Sequence, residues 1–322
     1  MKNETLTNHS RPRGTLLIAL IALLLALPAA GVETQIRRSF EVRAGGTLEL
    51  DTDRGSIEIR THDAPTVDVL VTMDARTRDE SEAKEMFEDF DVSFHPSVAD
   101  LRIEGDDRSP RSRGWFNFRG GSNAFRVRWT VTVPTRYTLD LRTSGGSISV
   151  HDLNGDVDAR TSGGGLKFGR IEGRVRARSS GGSISIEETG GRVDVSTSGG
   201  GIAIARARGD VRAHTSGGSI RVDEVFGTID AVTSGGSITA SLSSQPTHDC
   251  RLSTSGGSVN VRLDPSIALN LDARSSGGRV SADIPVTIRG TMGKNRLQGT
   301  INGGGPELVL RTSGGGISIR GQ

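Results

Sequence analysis

Thr143-Ser144-Gly145-Gly146-Ser147-Ile148-Ser149-Val150 is the stretch that decides the fold, because much of the remaining chain restates it. Ser-Gly-Gly begins at Ser144, Ser162, Ser180, Ser198, Ser216 and Ser234, 18 residues apart each time. It returns at Ser255 and Ser276, 21 residues apart, and last at Ser313. A fixed period of this size is the signature of a solenoid, in which each lap of chain packs only on its neighbours.

Working outward from the corner, the laps align in register. Leu139-Asp140-Leu141-Arg142-Thr143 matches Val157-Asp158-Ala159-Arg160-Thr161, then Val175-Arg176-Ala177-Arg178-Ser179 and their successors. After the corner a second alternating segment follows, with Ile148/Val150, Leu166/Phe168, Ile184/Ile186 and Ile202/Ile204 on one face. The reading is therefore all-β: a single-stranded parallel β-solenoid with 18-residue rungs over residues 135–322. A small N-terminal β-rich cap region over 35–134 holds one short helix near 79–90. Nine stacked copies predict a body on the order of 43 Å long.

The corner glycines are Gly145 and Gly146, Gly163 and Gly164, Gly181 and Gly182, Gly199 and Gly200, Gly217 and Gly218, Gly235 and Gly236. Each costs roughly 0.5–1 kcal/mol of chain entropy, so the corner geometry must require them, through positive φ or close backbone approach. The Ser and Thr residues before each corner are expected to bond to nearby backbone and to their copies one rung away, which is a structural role. By alternation Thr143, Thr161, Thr197, Thr215, Thr233 and Thr254 point inward or into the corner, a poor arrangement for an ice-binding plane.

Composition agrees with thin laps: 44 glycines and only 4% aromatic residues suit small interior side chains. Of the 40 basic and 38 acidic residues, Lys2, Arg11, Arg13 and Glu4 lie within 1–31; without them 37 of each remain. That balance argues against nucleic-acid binding, which uses a basic excess on one face. The lone Cys250 allows no intramolecular disulfide and falls in the column of Val157, Val175, Val193, Val211 and Ile229, where it reads as a small buried hydrophobe. No cofactor and no metal are expected, the six histidines being scattered in sequence.

Residues 1–31 carry a polar, positively balanced start, the apolar run Leu16 to Leu27, and Pro28-Ala29-Ala30-Gly31. This is the pattern of a secretory signal peptide, so the protein is expected to be exported to the periplasm or the cell surface. Twelve apolar residues fall short of the ~20 a spanning helix needs, so no stable membrane span is expected after cleavage.

Between 105 and 124 the sequence joins Arg108, Arg111, Arg113 and Arg119 to Trp115, Phe116 and Phe118. The rings suit either a plug for the open end of the solenoid or an exposed surface for a partner. Trp115, Phe116, Phe118, Arg111, Arg113 and Arg119 are the partner-binding candidates. Down the outward columns, Asp140, Asp158, Arg176, Asp194, Arg212, Asp230, Arg251 and Asp272 nearly alternate in sign, which stabilises register. The adjacent column, Arg142, Arg160 and Arg178, is basic. Asp140 and Asp158 beside arginines would also suit glycan cleavage, but a charge ladder explains the same residues, and no nucleophile elbow, phosphate loop or His-Glu-x-x-His is present. The final strand, 317–319, is expected to leave an edge, open to capping by the insertion at 284–307 or to pairing with a second copy.

The pattern resembles a bacterial β-strand-repeat family of unknown function that carries an adhesin label and is related to the envelope-associated toastrack domains. The likeness covers about 35–322: the leading strands, the acidic helix, Val131-Thr132-Val133-Pro134 before the first repeat, the recurrent Ser-Gly-Gly-x-Ile-x-Ile, and the closing pair at 299–319. It implies an exported, non-enzymatic interaction protein of the envelope, with an envelope protein or glycan as partner. The alternatives are a β-helix carbohydrate-active enzyme, or an envelope spacer or stress-signalling accessory.

Overall fold

The computed structural model describes residues 31–77, 79–109, 125–288 and 293–322. The chain opens with β1 (Val32–Glu41), β2 (Thr47–Thr52), β3 (Ser56–His62), β4 (Thr66–Ala75), α1 (Glu80–Glu88), β5 (Phe90–Pro96) and β6 (Leu101–Asp107). There follow β7 (Phe125–Pro134), β8 (Thr138–Thr143), β9 (Ile148–Val150), β10 (Val157–Thr161), β11 (Leu166–Ile171), β12 (Val175–Ser179) and β13 (Ile184–Thr189). The regular laps continue as β14 (Val193–Thr197), β15 (Ile202–Ala207), β16 (Val211–Thr215), β17 (Ile220–Val225), β18 (Ile229–Thr233) and β19 (Ile238–Leu242). Last come β20 (Cys250–Thr254), β21 (Val259–Leu263), β22 (Leu269–Ser275), β23 (Val280–Ala282), β24 (Thr287–Ile288), β25 (Arg296–Ile301), β26 (Glu307–Thr312) and β27 (Ile317–Gly321).

These strands form two facing sheets, of 13 and 14 strands, and each lap puts one strand in each. Alternation fixes what points where. In β10, Val157, Ala159 and Thr161 are buried, while Asp158 and Arg160 face outward and are half-buried. Pairing is parallel and in register at the 18-residue period: Val157 lies between Leu139 and Val175, and Asp158 between Asp140 and Arg176. One apolar core runs between the sheets, to which the lap 193–204 gives Val193, Val195, Ile202 and Ile204. Each such side chain stabilises by roughly 1.5–3 kcal/mol when removed from water, but only against the laps on either side. Cys250 sits in this core as expected, 1% exposed.

The corner geometry separates its two glycines. A Cβ on Gly164 would fall on the Gly146 carbonyl, and the same collision recurs at Gly182, Gly200, Gly218 and Gly236 with the glycine one lap back. At Gly163, Gly181, Gly199, Gly217 and Gly235 the nearest atom would be 2.9–3.3 Å away, and at Gly145 nothing lies within 4 Å. None of these corner glycines has positive φ. Close approach of successive laps, not left-handed backbone, is what demands glycine, and it demands the second far more than the first.

The rod is longer than the Ser-Gly-Gly count implied, because it extends into the N-terminal region. β2 and β3 pair in parallel with β8 and β9, and on their other side with β6 and β7. The stack thus has eleven rungs among the described residues, about 53 Å at a spacing of ~4.8 Å. Antiparallel strands cover the N-terminal end: β4 and β1 on one sheet, β5 on the other. α1 belongs to this cap. Asp79 caps it, its carboxylate accepting from the Ser81 N–H at 2.9 Å, and Ala83 is its buried residue. The core at this end is aromatic: Phe90 lies 5.9 Å from Phe125 and 6.2 Å from Trp129, ring centre to ring centre.

Two expectations about the C-terminal end need correction. The final lap, β26 and β27, is not an edge: it lies between β20/β21 and β22/β23. The lap 269–282 skips a rung, β25 turns back antiparallel on β22, and the chain then fills the vacant rung. The return is made at Asn302, Gly303 and Gly304, all with positive φ (48°, 89° and 93°), a conformation glycine adopts without a Cβ clash. Consequently Arg251 and Asp272 are not stacked neighbours; Val309 separates them. At this end the 13-stranded sheet finishes on β23 and the 14-stranded sheet on β24.

Candidate functional site

Two outward columns run along the sheet that holds β8, β10 and β12. In the first, Asp158, Arg176, Asp194, Arg212 and Asp230 alternate in sign as the sequence implies, with Arg176 3.8 Å from Asp158 and 4.0 Å from Asp194, and Arg212 3.7 Å from Asp230. The other sheet carries a ladder that the sequence reading passed over, though the 18-residue spacing shows it. Arg170, Glu188, Arg206 and Glu224 occupy one column, with Arg206 2.6 Å from Glu224 and 3.7 Å from Glu188. Hydrogen bonding from Arg208 lowers the Glu188 carboxyl below its ordinary range.

Alternation fails at the N-terminal end of both columns: in the first, Glu49, Asp140 and Asp158 stack acid on acid, and in the second arginine stacks on arginine. Arg142, Arg160 and Arg178 are directly stacked on β8, β10 and β12, three like charges in register. Like charges directly opposite one another are destabilising. Arg142 is held by Asp140 at 2.9 Å, with Asp51 at 3.9 Å, and Arg160 by Asp158 at 3.0 Å. Arg178 is exposed and makes no ion pair within 4.0 Å among the described residues. The Nε atoms of Arg142 and Arg160 have no acceptor. Burial raises the Asp140 and Asp51 carboxyls, and Arg142 opposes the rise in both.

Beside this ladder runs a groove of about 430 Å³, lined by the three arginines, Asp51, the corner serines Ser144, Ser162 and Ser180, and Ser196. The serines are exposed, whereas Thr143, Thr161 and Ser179 one residue earlier are buried. Those buried hydroxyls donate to the carbonyls of Gly55, Gly146 and Gly164 at 2.7–2.9 Å. The expected bonding of the rank to nearby backbone is borne out, but across laps the partner is the glycine carbonyl and not the copy of the same hydroxyl; the exposed corner serines remain as the available hydroxyls. Around the Ser144 corner, on the N-terminal side, lies a second cleft of about 640 Å³, lined by Glu33, Asp53, Arg54, Asp74, Arg126 and Arg128 among others.

The partner-binding candidates Arg111, Arg113, Trp115, Phe116, Phe118 and Arg119 lie outside the described residues. The apolar filling at the N-terminal end that is described comes instead from Phe87, Phe90, Phe125 and Trp129. A further cluster appears only through the out-of-order lap: Asp272 takes Arg274 at 2.9 Å and Arg311 at 2.6 Å. Burial there pushes the Asp272 carboxyl up, but the two arginines outweigh it and hold it low. Among the described residues no group of His, Cys, Asp and Glu is arranged to hold a metal ion, and no helix is long and apolar enough to cross a membrane.

The sequence profile of the Toastrack DUF4097 family matches residues 46–320, from β2 to β27. The chain belongs to this family. Solved structures similar to this toastrack chain include a candidate cell adhesion protein from Clostridium sporogenes, 13% identical, covering 90% of this chain and 100% of its own, with TM-score 0.23. A candidate adhesin from Bacteroides fragilis is 12% identical over 89% of this chain and 97% of its own, with TM-score 0.35. A candidate lipid-binding protein from Parabacteroides distasonis is 13% identical over 89% and 96%, with TM-score 0.42. A comparison with curated proteins finds no match.

Proposed function

We propose that this toastrack protein is exported to the cell envelope and works by contact, presenting the walls of its rod to an envelope protein or glycan without catalysing a reaction. The observation that carries the reading is the in-register stacking of outward side chains, which turns single residues into continuous ladders along the rod. A surface of that kind offers contacts repeated at a fixed spacing, so weak single interactions add along the ladder. Export is supported by the Leu16 to Leu27 run followed by Pro28-Ala29-Ala30. Asp158, the residue best placed in sequence for glycan cleavage, is committed to Arg160 and Arg176. Cell fractionation, a pull-down from envelope extract and a glycan array test the reading together. Recovery in the envelope fraction with a saturable ligand is the expected result; a cytosolic protein, or an empty pull-down with an empty array, overturns it.

A further inference from the structure

Most outward ladders alternate in charge, but two runs of three arginines do not: Arg311, Arg274 and Arg296 near the C-terminal end, and Arg142, Arg160 and Arg178, which stand beside the stacked acids Glu49, Asp140 and Asp158. Such local departures from the stabilising pattern mark functional positions. At Arg142, Arg160 and Arg178 the departure coincides with a groove and with a parallel rank of exposed hydroxyls. We propose that Arg142, Arg160 and Arg178 bind an extended acidic polysaccharide lying along the rod, with its carboxylates on the guanidiniums and its hydroxyls on Ser144, Ser162 and Ser180. The proposal rests on the contact reading above and names the class of partner.

Composition selects the polymer. Each rung offers a guanidinium with a serine hydroxyl beside it, so the ligand must present anions and hydroxyls together along an extended chain. An acidic peptide or a polyphosphate offers anions without the hydroxyls, whereas every ring of a polyuronate carries one carboxylate and free hydroxyls. Arginine's planar fork suits the carboxylate of each unit, and binding would relieve the repulsion that the stack carries when empty.

Polygalacturonate and alginate serve as probes, with dextran, polyphosphate and polyglutamate as comparators, in titration calorimetry at low and ~0.15 M salt. Arg178→Gln and Arg160→Gln should each weaken uronate binding about tenfold, and the double variant should abolish it. Arg212→Gln, on the same sheet but in the alternating column, should change it by no more than about twofold. Unchanged melting of Arg178→Gln, whose side chain is exposed and unpaired by acids, separates lost binding from lost fold. The proposal is overturned if neither uronate polymer binds, if polyphosphate or polyglutamate binds as tightly, or if the arginine variants bind like the parent. Any of these alongside a neutral-glycan hit on the array would leave the contact reading standing, whereas cytosolic fractionation would strike the contact reading itself.

Discussion

Thr161 Oγ1 donates to the Gly146 carbonyl at 2.7 Å, tying the end of one lap's strand to the corner of the lap before it. The same oxygen accepts from the Gly164 N–H at 3.3 Å in its own corner. The bridge recurs at Thr215, Thr233, Thr254 and Thr312, so a line of buried hydroxyls runs beside the glycines. Thr161→Val keeps the shape and removes the hydroxyl, stranding a carbonyl and an N–H. It should cost about 1–3 kcal/mol. Thr161→Ser keeps the bonds and should cost about 0.8 kcal/mol for the lost methyl. Urea unfolding of both variants checks the difference; equal midpoints would refute the bridge.

Within one corner, neighbouring glycines should respond oppositely. Gly146→Ala drives a Cβ into the Gly55 carbonyl and should destabilise by about 3 kcal/mol or more, since backbone must move. Gly145→Ala meets nothing within 4 Å and should be neutral or stabilising by up to about 1 kcal/mol, through loss of unfolded-chain freedom. Thermal melts of the pair decide whether contact with the lap below sets the requirement.

Acid should loosen the rod partly through Asp210. Its carboxyl is held below the ordinary range by the Thr228 backbone N–H at 2.8 Å and by the Thr228 hydroxyl at 2.7 Å. A lowered folded pKa means stability fully present above the unfolded value of ~3.9 and lost as pH falls through the folded one. Asp210→Asn should therefore flatten the stability–pH curve between about pH 5 and 2, and an unchanged acid limb would contradict the assignment.

The Cys250 thiol is buried and pushed above its ordinary pKa chiefly by that burial. Thiolate is the reactive form, so a disulfide reagent at neutral pH should label Cys250 far more slowly in the folded protein than in denaturant. Equal rates would place the residue outside the core.

Removing residues 307–322 tests the order of laps. If β26 and β27 fill an inner rung, the truncated chain loses the pairing of β20 and β21 with everything beyond them. A markedly lower melting temperature is expected, with protection from hydrogen exchange lost in both β20 and β22. A stack in chain order would lose protection only next to its last strand.

The ladders were legible before any coordinates because parallel pairing at a constant lap length carries sequence period directly into space. Residues 18 apart, such as Val157 and Val175, had to meet once the corners were recognised. Buried threonines, the Cys250 column and the Arg142–Arg160–Arg178 stack followed from that period and from strand alternation. Which of the two corner glycines is indispensable did not follow, since sequence does not record how closely one backbone passes another.

The amino-acid sequence by itself determined the lap: alternating strands, glycine corners, small interior residues and an outward face of charge. Only the tertiary structure decided the order of laps at the ends, where β2 and β3 slip inside β6 and β7, and β26 and β27 slip inside β22 and β23. The physical reason is that one lap presents the same hydrogen-bonding edge and apolar column to almost any other, so local pattern barely distinguishes the neighbours. What selects them is global: the reach of the connecting segments, the antiparallel cover supplied by β4, β5 and β25, and pairings such as Asp272 with Arg311 that exist in one order alone.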